Sequence, residues 1–419
     1  MKESDANSAD FITRIAHDTP GAANLECNNA ELIEGVPALT STPILRRRMP
    51  ELDSLRGIAI LMVLFYHGFY WSTGPQGPQG LSGLSRYFVE ITRAGTLGVN
   101  LFFVLSGFLI TGILWQSKPD PHYFRNFYTR RALRILPVLY ALLVLLILVG
   151  DPDRTYLLLS FLFLSNVTPL LGVPVGYTVL WSLSVEEHFY LVWPAVVRKL
   201  SRVSLMKTLL AIILLEPVAR GLCFAFGGEG ISSYTWLVAD GLAVGASLAL
   251  YVHSPRFSRV GLAKVCGGLI AVASVMLLLG APYGILTRRS LLGGELQLTG
   301  ANLLFGGLLG TALLVGTGPY GFLTRPWGLG FFGNISYGLY LIHQLAFNCY
   351  DQVVKSHWPA LASRMGRFNL MTMRFVIAST VAIVVSVLSR YYFEESFLRL
   401  KDRFAAPGPR IDVREKALR

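Results

Sequence analysis

Charge is scarce in this chain. Asp, Glu, Lys and Arg make up 15% of its 419 residues, where a soluble domain carries about 25%. Apolar residues, at 53%, fill the place of the missing charge, which argues against a water-soluble multidomain enzyme. Aromatic residues at 12% and the lack of any low-complexity tract argue against a disordered or fibrous chain. Cysteine is sparse too. Cys27, Cys223, Cys266 and Cys349 show no paired spacing, so neither a disulfide framework nor a zinc site is indicated. Three of the four fall in apolar segments and read as small packing residues. There is no GxSxG elbow and no HExxH. Gly316-Thr317-Gly318-Pro319-Tyr320-Gly321 does match GxGxxG, but it follows an apolar span rather than a strand and contains Pro319. It fails the context that a dinucleotide site requires. No metal and no bound cofactor are expected.

What the sequence does have is long apolar runs. A membrane-spanning helix needs about 20 such residues, and candidate spans run over 53–72, 95–115, 134–150, 179–197, 205–226, 234–252, 260–280, 299–316, 329–350 and 372–393. The stretch 155–171 is short and contains Asn166 and Pro169, so it reads as re-entrant or interfacial. The expected fold is an all-α polytopic membrane helix bundle of about ten transmembrane helices plus that one short segment. Residues 1–47 read as a flexible cytoplasmic tail, 48–400 as the membrane domain and 401–419 as a basic cytoplasmic tail. The short C-terminal tail is not expected to hold a second enzymatic domain, and the start lacks the pattern of a cleaved leader.

The net charge of +12 (37 basic against 25 acidic residues) could serve a polyanion or topology. With 155–171 not spanning, the short inside connections carry 16 Lys or Arg and the outside ones eight. The positive-inside rule then places both termini in the cytoplasm. Most of the surplus is topology signal, so no nucleic-acid partner is expected.

Ionisable groups inside a bilayer are costly and mark function by default. Asp53 and Arg56 stand one turn apart in the first span and can pair. Arg56 and His67 are 11 residues, about 16 Å, apart on one helix face. A lone histidine would read as a packing hydrogen-bonder between helices; the aligned arginine tips the reading toward a neutral imidazole acting as general base. Arg130, Arg131 and Arg134 cluster at a membrane mouth, where guanidiniums suit phosphate, although cytoplasmic anchoring alone would also explain them. Trp181-Ser182-Leu183-Ser184-Val185-Glu186-Glu187-His188 places two acids in an apolar setting that packing does not explain. Ser336, Tyr340 and His343 make a polar stripe at i, i+4 and i+7. Glu216 and Arg220 read as a self-neutralised structural pair, and Asp240 as an acid awaiting a base from another helix. Ser106 and Gly107 read as close-packing residues, while Asn100 is more open.

Five segments together resemble the acyltransferase-3 family of integral membrane acyltransferases. They are Leu52-Asp53-Ser54-Leu55-Arg56-Gly57 with His67; Gly98-Val99-Asn100-Leu101-Phe102-Phe103-Val104-Leu105-Ser106-Gly107-Phe108; Arg130-Arg131-Ala132-Leu133-Arg134-Ile135-Leu136-Pro137; Trp181 to Glu187 with Phe189-Tyr190; and Ile335-Ser336-Tyr337-Gly338-Leu339-Tyr340-Leu341-Ile342-His343. They occur in the family's order and cover about residues 50–400. The resemblance implies transfer of an acyl group from cytoplasmic acyl-CoA to an acceptor hydroxyl on a cell-envelope sugar, a lipid-linked sugar or a macrolide. It implies His67 as the catalytic histidine, and Arg56 with Arg130, Arg131 and Arg134 as donor-binding residues. Two departures stand out. His188 replaces a common glutamine, and Glu394-Glu395-Ser396-Phe397 replaces Glu-x-Pro-Phe.

On this reading Glu186 or Glu187 orients the histidine or binds acceptor hydroxyls. Asp53, Asn100, Trp181, Ser182, Tyr340 and His343 are candidates for substrate contact. The expected partners are acyl-CoA, a saccharide or other hydroxyl acceptor, and the lipid bilayer, in a bacterial inner membrane. Two other classes compete: a transporter or flippase using Glu186, His67 and Asp240 as a relay, and a scaffold or sensor. The lack of an internal repeat argues mildly against the transporter.

Overall fold

The computed structural model of the chain describes residues 44–404, apart from 47–48, 75–76, 151–152, 227–232, 281, 283–290, 319, 360 and 362–364. The two tails, Cys27, Arg47, Arg48, Arg288, Arg289 and Arg364 fall outside the described residues, save 44–46 and 401–404 of the tails. Every regular element among the described residues is helical.

Helix α1 (Pro50–Phe65) opens with Pro at its first position, where the missing N–H costs nothing. It runs on through a π turn, Tyr66–Tyr70, and a 3-10 turn, Trp71–Thr73. Then follow α2 (Gly83–Thr92), α3 (Gly98–Gln116), α4 (Tyr123–Val149), α5 (Arg154–Phe161) and α6 (Leu180–Lys199). The second half holds α7 (Arg202–Ala225), α8 (Thr235–Val238), α9 (Asp240–Val252), α10 (Arg259–Gly280) and α11 (Leu291–Gly316). It closes with α12 (Trp327–His357), α13 (Arg367–Leu388), a π turn at Ser389–Glu394 and α14 (Glu395–Phe404).

Among the described residues seven helices are long and apolar enough to cross a membrane, against the ten expected. The other three expected spans have helical counterparts that depart for two reasons, polar side chains in two of them and a break in the third. Helices α6 and α12 are long enough, at 20 and 31 residues, but their polar side chains dilute their hydropathy. The segment 234–252 breaks at Ala239 into α8 and α9. There the Asp240 backbone N–H donates to Glu216 Oε2 at 2.6 Å. The stretch 155–171 forms an 8-residue helix and a 3-10 turn at Ser165–Leu171; neither piece is long enough to span. Outward-facing residues such as Leu148, Leu214 and Leu278 are 69–77% exposed, as lipid-facing side chains must be.

Two helix pairs approach through reciprocal glycines. A Cβ on Gly107 would fall 2.0 Å from the Leu242 carbonyl oxygen, and one on Gly245 1.9 Å from that of Val104. This contact locks α3 to α9, as the packing reading of Gly107 anticipates. A Cβ on Gly57 would fall 2.1 Å from the Leu329 carbonyl oxygen, and one on Gly333 2.0 Å from that of Asp53. That second contact draws α1 and α12 backbone to backbone, with small residues substituting for a hydrophobic drive that lipid cannot supply.

Buried ions are neutralised in place. Arg220 is fully buried and donates to Asp240 at 3.1 Å, to Thr299 at 2.7 Å and to the Leu237 carbonyl at 2.8 Å, with Glu216 4.0 Å away. Asp240 thus meets a base from another helix, and that base is Arg220. The loop before α6 is stitched to α12: Tyr177 OH donates to the Leu341 carbonyl and accepts from the Leu345 N–H, while Gln344 accepts from Thr178 and Val179.

Candidate active site

Helices α1 and α12 run side by side from their glycine contact, and at their far ends they bring two histidines together. His67 stands in the π turn. Gly68 beside it lets α13 come close, since a Cβ there would meet Phe375 at 2.3 Å. A π turn shifts the backbone bonding by one residue and leaves carbonyls to be satisfied from outside. Arg374 of α13 does this, donating from Nη1 to the carbonyls of His67 and Gly68, each at 3.2 Å. The same guanidinium holds Asp351 by two bonds of 2.7 and 2.8 Å and lies 4.5 Å above the Phe347 ring.

The hydrogen bonds set the tautomers. His343 Nδ1 lies 2.8 Å from the Tyr340 carbonyl and 3.1 Å from that of Leu339, so it carries the proton and leaves Nε2 as an acceptor. That Nε2 faces His67 Nδ1 at 3.3 Å, and His67 Nδ1 also lies 3.0 Å from the Val63 carbonyl. Both neighbours accept, so His67 Nδ1 donates. The lone pair of His67 is thereby placed on Nε2. His67 borders two cavities, of about 240 and 190 Å³, whereas His343 is completely buried. The central, 240 Å³ cavity is also lined by Asn100, Trp181 and Tyr340. Asn100 is held by Asn302, to whose Oδ1 it donates at 2.9 Å.

A third cavity, of about 180 Å³, shares Val99, Phe103 and Tyr340 with the central one. Its polar walls are Arg56, Arg131, Arg134, Ser106, Glu186 and Tyr190, with Ser182 and Ser336. Arg56 pairs with Asp53 at 2.5 Å, and Arg131 stacks 4.3 Å over the Tyr190 ring. Tyr190 OH donates to Ser106 Oγ at 3.2 Å, and Ser106 donates to Glu186 Oε1 at 2.6 Å. Arg56, Arg131 and Arg134 lie within electrostatic reach of one another. Three cations face one acidic wall, Glu186, and even with Arg56 paired to Asp53 the cavity stays positive, which favours an anion there.

The sequence-predicted residues divide between these cavities. His67, Asn100, Trp181 and Tyr340 meet at the central one; Arg56, Arg131, Arg134, Glu186, Ser182 and again Tyr340 meet at the arginine cavity. Asp53 touches neither directly but holds Arg56. Arg130 is exposed and lines none of the cavities described. Glu187 lines none of the cavities described, and its Oε1 is buried without a hydrogen-bond partner among the described residues. Among the described residues it is His343, rather than Glu186 or Glu187, that comes within hydrogen-bond reach of His67, and His343 is completely buried. Ser106 proves to hold Glu186 as well as to pack. Sequence reasoning passed over Arg374, Asp351, Asn302 and Tyr190. Arg374 carried a signal: it is an ionisable group inside the apolar segment 372–393.

Residues 49–391 match the model of the acyltransferase-3 family, described as an acyltransferase domain, and the chain belongs to that family. It is 32% identical over 171 residues to the peptidoglycan O-acetyltransferase OatA of Listeria monocytogenes, covering 36% of this chain and 24% of that one. It is 30% identical over 239 residues to YrhL of Bacillus subtilis, named as a candidate peptidoglycan O-acetyltransferase, covering 51% of this chain and 34% of that one. The matches span only about a quarter to a third of the length of these curated relatives. No solved structure matches the chain significantly.

Proposed function

We propose that the chain is an acyl-CoA-dependent O-acyltransferase of a bacterial inner membrane, moving an acetyl or other short acyl group to a hydroxyl of a saccharide. The observation that carries this reading is the free Nε2 of His67, held at a cavity that shares walls with the arginine cavity. The phosphates of acyl-CoA are assigned to Arg56, Arg131 and Arg134, since guanidiniums hold phosphate bidentately. The thioester arm then passes Tyr340 toward His67. His67 Nε2 takes the proton of the acceptor hydroxyl as that oxygen attacks the thioester carbonyl. The carbon–sulfur bond breaks, and the CoA thiolate leaves with the proton returned by the imidazolium. By the positive-inside rule the arginine cavity faces the cytoplasm. The O-acetyltransferase names of the relatives support the transferred group, and peptidoglycan in those names supports a saccharide acceptor.

The test is transfer of label from acetyl-CoA in membranes bearing the chain. His67→Ala is expected to abolish transfer while the protein remains folded in the membrane; normal labelling by that variant refutes the assignment. The succession of cavities also suits a transporter or flippase. Movement of a glycan by proteoliposomes lacking acyl-CoA would favour that reading instead.

A further inference from the structure

A larger cavity, of about 470 Å³, takes no part in the chemistry above. It shares Ser72, Asp351 and Arg374 with the small cavity on the far side of His67. Ser72 lies 16 residues beyond Arg56 along α1 and its continuing turns, about 24 Å at helical rise. Along α12, running the same way, Ser336 lines the arginine cavity and Asp351 this one. The cavity therefore opens at the opposite end of the bundle from the arginines.

Its walls carry a particular chemistry. Trp358 is 58% exposed and offers a broad ring face, whose negative quadrupole suits the polarised C–H groups of a pyranose. Tyr350 presents a buried hydroxyl with no hydrogen-bond partner among the described residues. Asp351 is bound to Arg374 but keeps its side chain 50% exposed. Lys355 and Arg367 also line the cavity, and Asp351, its only acidic wall among the described residues, is already paired with Arg374. Three cations against one acid leave the site positive.

We propose that this cavity is the acceptor subsite. It takes a saccharide that lies on Trp358, hydrogen-bonds through its hydroxyls to Tyr350 and Asp351, and carries an anionic group between Lys355 and Arg367. The inference rests on the acyltransferase reading and names its acceptor class: an anionic sugar. A phosphate or a carboxylate would supply the same charge. Arg374 joins the subsite to the reaction, because the guanidinium that pairs with Asp351 also holds the carbonyls of His67 and Gly68.

The test is saturation-transfer NMR on the purified full chain. The probes are N-acetylglucosamine, N-acetylglucosamine 1-phosphate, N-acetylmuramic acid and inorganic phosphate. At least one anionic sugar is expected to bind more tightly than the neutral sugar, and the better of the two identifies phosphate or carboxylate as the anion. Trp358→Ala is expected to weaken sugar binding about five- to tenfold, with Trp358→Phe largely restoring it. Lys355→Ala is expected to weaken only the anionic sugars, about fivefold. The proposal is overturned if no sugar binds, if Trp358→Ala binds as well as the wild type, if the neutral sugar binds as tightly as the anionic ones, or if inorganic phosphate alone matches them. A separate titration with acetyl-CoA keeps the two readings apart: failure to bind it removes the transfer reading and leaves a sugar site standing.

Discussion

Replacing His343 tests the tautomer argument. His67 Nδ1–H has two acceptors, the Val63 carbonyl at 3.0 Å and His343 Nε2 at 3.3 Å. His343→Leu removes one and leaves the other. The Tyr340 and Leu339 carbonyls released by the change lie within α12, where the helix's own bonds serve them, so no buried group is orphaned. The loss is that of one modest hydrogen bond, about 0.5–1.5 kcal/mol. Expressed as poorer alignment of Nε2, this lowers kcat about two- to twelvefold. Removing a general base costs about 10²- to 10⁴-fold, so His67→Ala must fall much further. His343→Gln retains a carbonyl oxygen able to accept and should lie between His343→Leu and the wild type. The assay is transfer of labelled acetyl groups in isolated membranes across a series of acetyl-CoA concentrations. The KM for acetyl-CoA should move little, because His343 is not among the walls of the arginine cavity. If His343→Leu fell as far as His67→Ala, His343 would be doing the chemistry and the assignment of Nε2 would fail. An unchanged kcat would equally refute it.

Arg131→Ala and Arg134→Ala should each raise the KM for acetyl-CoA by about tenfold, the loss of one charge-assisted hydrogen bond, while Arg130→Ala changes it little; equal effects at all three positions would count against the cavity. Gly333→Ala would drive a methyl against the Asp53 carbonyl, costing about 1–3 kcal/mol, seen as a fall in melting temperature together with lost transfer. Arg220→Met leaves Asp240 and Glu216 buried without their cation, at a cost of about 3–5 kcal/mol, and should reduce folded protein on size-exclusion chromatography. Wild-type behaviour would show that neither acid is charged in the fold.

Much of this arrangement was legible in the sequence, and the reason differs by feature. Apolar run length marked the spans, and the 3.6-residue period placed Ser336, Tyr340 and His343 on one face. That face does turn to the site. Charge in an apolar setting singled out Glu186 and His67. What pattern could not supply was partnership across the bundle. His343 and His67 are 276 positions apart, and Arg374 reaches carbonyls more than 300 positions away. No periodicity links them. The π turn is equally hidden, since a one-residue shift in backbone bonding leaves hydropathy unaltered. The sequence therefore offered Glu186 or Glu187 to orient His67 or to bind acceptor hydroxyls, and it could not show that Glu186 lines the same cavity as the arginines. Helices α6 and α12 coincide with two of the expected spans, yet the polar residues that single them out are the same ones that lower their hydropathy.

On the proposed reading, the distance along α1 between Arg56 and His67 is itself a device for selection. Eleven residues of helix separate the guanidinium from the imidazole by about 16 Å, and both line the interior. A donor whose phosphate is bonded directly to its acyl group cannot satisfy both ends at once. Only a carrier with a long, flexible arm between its anionic head and its reactive carbonyl can do so. On the proposed reading the helix acts as a ruler: it admits donors by length before any contact with the acyl group is made. Lengthening α1 by one turn between the two residues would keep every side chain and still leave the carbonyl short of its base.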